Sequence, residues 1–406
     1  MKILIWSQYF WPENFQINLV ADELVKLGAE VTVLTGKPHY PDGFFFDGYR
    51  AFSIDREEYA NCEVLRIPMK VRGDGSAKAM VLNYLSFVAS GYIFAPYMLR
   101  KRKFDIVFVY APSPILQTLP AIFVAWLKKV HLALWVQDLW PESLKATGFV
   151  ENRSALKVVE CVVRYIYRHT DMILIQSEQF RKSVAQLVRN EAKIRVFSNT
   201  AADMALSASS SISCQLDIDQ YFSVVFAGNI GRAQSCVTIV AAAELLRDCP
   251  TIRFYLIGSG SESDKIAADI ERKKLTNVIM PGRFPPEDMP AIFSKASALL
   301  VSLARDPALS ATIPNKLQSY MSAAKPIIAS LDGEAATLVN NVSAGVSCPA
   351  EDAVALARAV RCLCGMSQLE RQALGQNARV YYDTNFEPKK RVRELFDLLT
   401  FSQMRK

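Results

Sequence analysis

The chain has 406 residues, 51% of them apolar and 21% charged. That balance excludes wholesale disorder and a disulfide-held miniprotein, and the length suits two or three domains with large cores. The net charge of +7 is uneven: residues 1–200 hold 25 Lys/Arg against 19 Asp/Glu, and the remainder holds 22 against 21. The basic half suits an anionic surface, whether membrane or nucleic acid, and equally a solvated surface with a modest surplus of charge.

Eight cysteines are scattered without a Cys-x-x-Cys pair, and His39, His131 and His169 do not cluster with them. A structural zinc site is therefore not expected. The opening Met1–Trp6 turns polar too soon for a secretory leader, so the thiols are expected to stay reduced in the cytosol.

Short β-branched runs at 2–6, 30–35, 62–67, 105–110, 131–136, 172–175 and 194–197 predict strands. Helical periodicity falls between most of them, as at 15–27 and 155–168. The same rhythm returns at 223–227, 252–257, 277–280, 298–302, 326–329 and 345–348, with helices at 236–247, 287–295, 316–323 and 352–363. Near-continuous apolar strands alternating with helices mean parallel sheets covered on both faces. The pattern predicts two doubly wound α/β domains, 1–200 and 201–387, joined by a Ser-rich linker near 199–221. Ligands are expected at the carboxyl ends of the strands. Residues 388–406 predict an amphipathic helix with Val392, Leu395, Phe396, Leu398 and Leu399 on one face.

One stretch stands apart. Residues 79–99 carry no charge, and Arg100-Lys101-Arg102-Lys103 follow at once. The length permits a membrane span, but Asn83, Ser86, Ser90, Gly91 and Pro96 weaken it, and a span would split the first sheet. A buried domain helix and a helix dipping into an anionic lipid surface remain as readings.

Glycine turns mark the second half. Gly228-Asn229-Ile230-Gly231-Arg232-Ala233-Gln234 follows one strand and Gly258-Ser259-Gly260 the next. Glycine lets the backbone approach a ligand, and Arg232 suits phosphate oxygens; plain turns fit the same residues, and the full dinucleotide fingerprint fails at Ser263. Thr312-Ile313-Pro314-Asn315-Lys316 opens a helix, where Thr312 or Asn315 is a candidate cap and Lys316 would reinforce an anion at the helix start. In the first half, Asp138 ends a strand and Glu142 follows a turn later; a carboxylate there can orient a sugar hydroxyl, accept its proton or merely cap. Glu13 and Asn14 sit at the start of the first long helix, and His39 lies in the loop after the second strand. No Ser-His-Asp order, P-loop or aromatic-plus-basic nucleic-acid array is present.

The opening 43 residues, together with LWVQDLWPESL, FAGNIGRAQ, LIGSGSE, PGRFPPEDMPAIFSKASALLVSL and TIPNKLQSYMSAAKPIIAS, resemble bacterial family 4 glycosyltransferases of the GT-B fold. Within them they resemble a branch of O-antigen N-acetyl-L-fucosamine transferases. The resemblance implies two Rossmann-like domains facing a cleft. The second would bind a nucleotide-sugar, UDP-linked in that branch, through Gly228, Asn229, Gly231, Gln234, Gly258, Gly260, Arg283, Phe284, Asn315 and Ser319. The first would bind the acceptor through Glu13, Asn14, His39 and Glu142. It implies transfer with retention, without a metal or other cofactor, to a polyprenyl-diphosphate-linked glycan at the cytoplasmic membrane face, with the last helix crossing back to the first domain. Asp138, Arg232 and Lys316 are the expected catalytic groups. The chain departs from the family at a Glu-x7-Glu pair, replaced by Ala311 and Ser319, and at the usual Arg and Lys over the diphosphate, replaced by Asn229 and Gln234. Arg232 and Lys316 are expected to supply the missing charge. A nucleotide-sugar epimerase and a catalytically inactive binding subunit are the competing readings.

Overall fold

A computed structural model describes residues 1–73, 76–146, 152–205 and 216–403. It divides into two units, Met1–Asn199 with Pro388–Lys406, and Thr200–Glu387. The serines of the expected linker, Ser207, Ser209, Ser210, Ser211 and Ser213, lie outside the described residues.

The first unit is built on strands β1 (Lys2–Trp6), β2 (Glu30–Thr35), β3 (Asp55–Tyr59), β4 (Cys62–Arg66), β5 (Ile106–Ala111), β6 (His131–Val136), β7 (Met172–Ile175) and β8 (Ile194–Val196). Their order in the sheet is β3-β4-β2-β1-β5-β6-β7-β8. Every pair is parallel except β3–β4, which is an antiparallel hairpin. The order reverses between β1 and β5, a doubly wound switch point. Its helices are α1 (Gln16–Lys26), α2 (Ala77–Leu99), α3 (Thr118–Lys128), α4 (Glu142–Ala146), α5 (Arg153–Arg168) and α6 (Glu178–Leu187).

The second unit holds β9 (Phe222–Ala227), β10 (Ile252–Ile257), β11 (Val278–Gly282), β12 (Ala298–Ser302), β13 (Ile327–Ser330) and β14 (Gly345–Cys348). All are parallel, in the order β11-β10-β9-β12-β13-β14, with the reversal between β9 and β12. Its helices are α7 (Cys236–Leu245), α8 (Ser263–Arg272), α9 (Met289–Lys295), α10 (Pro307–Ser310), α11 (Asn315–Ser322), α12 (Glu334–Asn341), α13 (Ala353–Gly365) and α14 (Gln368–Asn385). Two apolar cores form, one on each face of this sheet. Side chains alternate across a strand, so Val225 enters one core while Val224 and Phe226 enter the other.

The last helix, α15 (Pro388–Gln403), belongs to the first unit. Val392, Leu395 and Leu399 are fully buried there beside Ile17, Val20 and Leu24 of α1. The i, i+3, i+7 spacing of these residues places them on one stripe.

Strand β3 escaped the sequence reading. Its sequence, Asp-Arg-Glu-Glu-Tyr, is charged because it is an edge strand with no buried face. The uncharged segment forms one continuous helix, but only one-third of its most apolar window is buried, so it is not a core helix. One face is welded to the sheet: a Cβ on Gly91 would meet Pro120 Cγ at 2.8 Å and Trp6 Cζ2 at 3.0 Å.

Candidate active site

The glycine loops of the second unit gather at the carboxyl ends of β9 and β10. Gly228 N donates to Ile257 O (2.8 Å), Ile230 N to Ser259 O (3.0 Å) and Gly258 N to Gly282 O (2.8 Å). The close approach demands glycine at two positions. Gly258 has φ +135°, and a Cβ there would sit 1.9 Å from Gly228 O. Gly228 has φ +138°, and its missing Cβ leaves room for Lys316, whose Cε would be 2.2 Å away and whose Nζ would be 2.8 Å away. A plain turn needs neither backbone stacked on backbone nor a lysine folded over it.

Lys316 is the first-turn lysine of α11. Tyr320 stands one turn later, and its hydroxyl accepts from Ala227 N (2.9 Å) and lies 3.3 Å from Ala227 O. This bond pins α11 to the end of β9 and so places Lys316 over the loop. The sequence reading missed Tyr320; its i, i+4 spacing from Lys316 was the available signal. The Lys316 ammonium lies 4.6 Å from the Phe226 ring centroid, and among the described residues no carboxylate pairs with it. Burial lowers its pKa to about 8. A cation held without a counter-ion beside backbone amides is the electrostatic preparation for an incoming anion.

Neither Thr312 nor Asn315 occupies the capping position of α11. Pro314 is the capping residue and supplies no side-chain bond, while the Thr312 hydroxyl donates to Leu309 O (2.8 Å). Asn315 is exposed and Ser319 half-buried on α11. Asn229 Nδ2 donates to Gln234 Oε1 (3.3 Å) beside Gly231. Arg232, between them, is exposed. A Cβ on Gly260 would lie 2.5 Å from Asn229 Oδ1 and from Ile230 O. Arg283 is exposed just past Gly282, and Phe284 packs on the core. Thus the structure unites the β9 and β10 glycines with Lys316, while Arg232 and Arg283 stay in solvent.

In the first unit, Asp138 follows β6. Its Oδ2 accepts from Ser113 N (3.0 Å) and Ser113 Oγ (2.8 Å), and Trp140 Nε1 donates to that same hydroxyl (3.0 Å). Burial raises the Asp138 pKa, against the pull of the Ser113 bonds. Glu13 and His39 do come together, but inside the fold. Glu13 Oε1 accepts from His39 N (2.9 Å) and Tyr40 N (2.8 Å), and Oε2 from Phe10 N (3.3 Å). His39 Nδ1 donates to Lys37 O (2.7 Å), and Asn83 Nδ2 reaches Nε2 (3.3 Å). Burial lowers His39 to about 4, so its 3.9 Å approach to Glu13 is no ion pair.

These two residues therefore brace the β1 and β2 loops rather than present polar atoms to an acceptor, because every such atom is already used within the fold. Asn14 is exposed. Glu142 lies apart, in a groove with Glu160, Arg164 and Gln186.

Burial raises Glu13 to about 7 from 4.5. A raised carboxyl favours the fold fully below its unfolded value and loses that contribution as pH climbs through its folded value. Stability is expected to fall between about pH 4.5 and 7 through this group, and Glu13→Gln should flatten that limb in thermal melts taken across the range.

Arg72, in the loop after β4, is a cation the sequence reading passed over. Its guanidinium lies 5.8 Å from the Tyr40 ring centroid and 3.5 Å from the Tyr84 hydroxyl. Among the described residues no carboxylate pairs with it. Its place just past a strand's carboxyl end was the available clue.

Residues 15–200 match the model of the glycosyl transferase 4-like domain, and residues 221–365 that of glycosyl transferases group 1. An Escherichia coli (strain K12) protein named as a colanic acid biosynthesis glycosyl transferase, WcaI, is 26% identical over 349 residues, covering 79% of this chain and 81% of its own. WbjE of Pseudomonas aeruginosa, a glycosyltransferase by name, is 24% identical over 299 residues, covering 71% of this chain and 72% of its own. Among solved structures, Anabaena HepE in complex with UDP superposes with TM-score 0.70 at 16% identity, over 98% of this chain and 100% of that one. Sucrose-phosphate synthase of Thermosynechococcus elongatus superposes with TM-score 0.77 at 17% identity, over the full length of both. Two transferase domains in sequence order, on two doubly wound sheets with a cationic glycine site at one switch point, make this chain a glycosyltransferase of the GT-B fold.

Proposed function

We propose that the enzyme moves a sugar from a UDP-linked donor to a polyprenyl-diphosphate-linked glycan at the cytoplasmic membrane face, as a step of surface-polysaccharide synthesis, with N-acetyl-L-fucosamine as the sugar. One observation carries the donor half: Lys316, partly desolvated and with no carboxylate partner among the described residues, lies against Gly228 at the β9 loop. The polysaccharide class follows the name of WcaI, and the nucleotide follows the UDP in the HepE complex.

In the proposed reaction the bond from the anomeric carbon to the diphosphate oxygen breaks, and negative charge grows on the leaving UDP. Loop amides and Lys316 stabilise that charge as preorganised donors. The acceptor hydroxyl attacks from the face the diphosphate leaves, which retains configuration, and its proton passes to the departing phosphate oxygen. Asp138, fixed by Ser113, orients a hydroxyl. No metal takes part, and turnover should survive chelation by EDTA.

Arg72 joins the acceptor half as an anion contact. Arg72→Ala should raise KM for the lipid-linked acceptor about tenfold, the scale of one charge-assisted bond, while slow hydrolysis of the donor alone stays unchanged. The proposal as a whole is tested by incubating the enzyme with individual UDP-sugars and extracted lipid-linked glycans. Label should enter the lipid fraction; an isomerised donor without transfer would favour an epimerase, and nucleotide binding with no turnover a binding subunit.

A further inference from the structure

Among the described residues, nothing in its own unit covers the outer face of α2 and α3. Ile93 and Tyr97 of α2 are 66% and 62% exposed, and Trp126 of α3 is 71% exposed. The two helices run side by side in parallel register. Gly91 abuts Pro120, Tyr92 meets Phe123 at 5.6 Å, and Lys128 Nζ donates to the Leu99, Arg100 and Arg102 carbonyls at the shared carboxyl end. That end carries the exposed cations Arg100, Lys101, Lys103 and Lys129. Beyond α3 the apolar surface continues into a groove of about 410 Å³ against α5, lined by Leu119, Lys157, Val158, Cys161, Val162 and Tyr165. From residue 75 to residue 137 the only acidic residue is Asp105.

We propose that this α2–α3–α5 face seats on an anionic lipid bilayer, with α2 lying in the plane of the interface rather than crossing it. Exposed Trp, Tyr and Ile beside a cationic rim match an interfacial surface: the rings enter the headgroup boundary and the cations meet lipid phosphates. Crossing is opposed by the inner face of α2. Asn83 is fully buried and accepts from Gln8 Nε2 (2.8 Å), and Gly91 is wedged against Pro120 and Trp6. A span would tear both contacts from the sheet and carry Asn83 into hydrocarbon. An anionic bilayer is preferred over a second copy of this face because like charges at one end of both copies would repel, whereas lipid phosphates neutralise them.

The proposal deepens the lipid-linked part of the functional reading. Its test uses neither donor nor acceptor, so either idea fails without the other. The full chain is floated with vesicles of phosphatidylcholine alone or mixed with phosphatidylglycerol. Binding is expected to the mixed vesicles, to weaken with salt, and to bring a blue shift of tryptophan emission that Trp126→Phe abolishes. Replacing Arg100, Lys101 and Lys103 by Ser should weaken binding about a hundredfold, the product expected for three interfacial charges. Ile93→Ser with Trp126→Ser should lower it even at low salt. These side chains are exposed, and unchanged melting midpoints would show that the variants fold. No flotation, or equal flotation by the variants, would overturn the proposal. So would a dimer in the absence of lipid that the Ile93→Ser, Trp126→Ser variant dissociates, or a chain that resists extraction by alkaline wash.

Discussion

Lys316→Ala is expected to lower kcat/KM roughly 10²- to 10³-fold, the loss seen when one preorganised donor to a developing oxyanion is removed. The same substitution should stabilise the nucleotide-free enzyme. Lys316 has no carboxylate partner among the described residues, and burial holds its pKa near 8 rather than 10.5. A lowered lysine favours the fold fully only above its unfolded value, and that contribution is lost as pH falls through about 8. At neutral pH the charge is therefore a burden on the empty site. Lys316→Met, which keeps the aliphatic stem against Gly228 and drops the charge, should raise the melting midpoint by about 2–4 °C, the shift for on the order of 1 kcal/mol in a unit of this size. Gain of stability with loss of turnover separates a functional cation from a structural one. Arg232→Ala is expected to cost only about tenfold, because an exposed guanidinium is screened by solvent.

Gly258→Ala should be among the more damaging single-atom additions in the second unit. Its φ of +135° is one that L side chains rarely adopt, and the new methyl would lie 1.9 Å from Gly228 O. That contact is with backbone, so no rotamer change relieves it. The β9 loop must move, and with it the amides beneath Lys316. We expect about 2–4 kcal/mol of lost stability from strain and overpacking together, read as a lower denaturant midpoint. UDP affinity should fall at least tenfold even at temperatures where the variant stays folded. Gly282→Ala is the control: φ is +89°, yet nothing lies within 4 Å of the added carbon. It should cost about 1 kcal/mol of backbone strain and leave UDP affinity near that of the parent.

Much of this architecture was legible because parallel strands buried on both faces must be apolar throughout. The runs that became β1, β2, β6 and β10 have the bounds that their hydrophobicity marks. Strand β3 was illegible for the complementary reason: a hairpin edge needs no apolar face, and its charges look like a loop. Helix α2 was ambiguous because composition does not say which side of a helix meets protein, and only the packing of Asn83 and Gly91 separates its two faces.

The site was legible where a rare residue type is forced. Glycines that let one backbone stack on another are written in the sequence, and so is a lysine at a helix start. The roles of Glu13 and His39 were not. An acid in a loop reads the same whether its carboxylate faces solvent or, as here, accepts three backbone amides. Tyr320 and Arg72 were missed because their meaning lies in the atoms they reach across the fold, the Ala227 backbone and the Tyr40 ring.

Calorimetric titration of UDP against the parent enzyme and Lys316→Met, repeated from neutral pH to above pH 8, tests the central claim most directly. A diphosphate gripped by Lys316 should raise the pKa of that lysine on binding, so affinity should decline once pH passes about 8 with protons taken up from buffer, and Lys316→Met should bind weakly at every pH. Undiminished UDP affinity in Lys316→Met, with no proton uptake in the parent, would contradict the account.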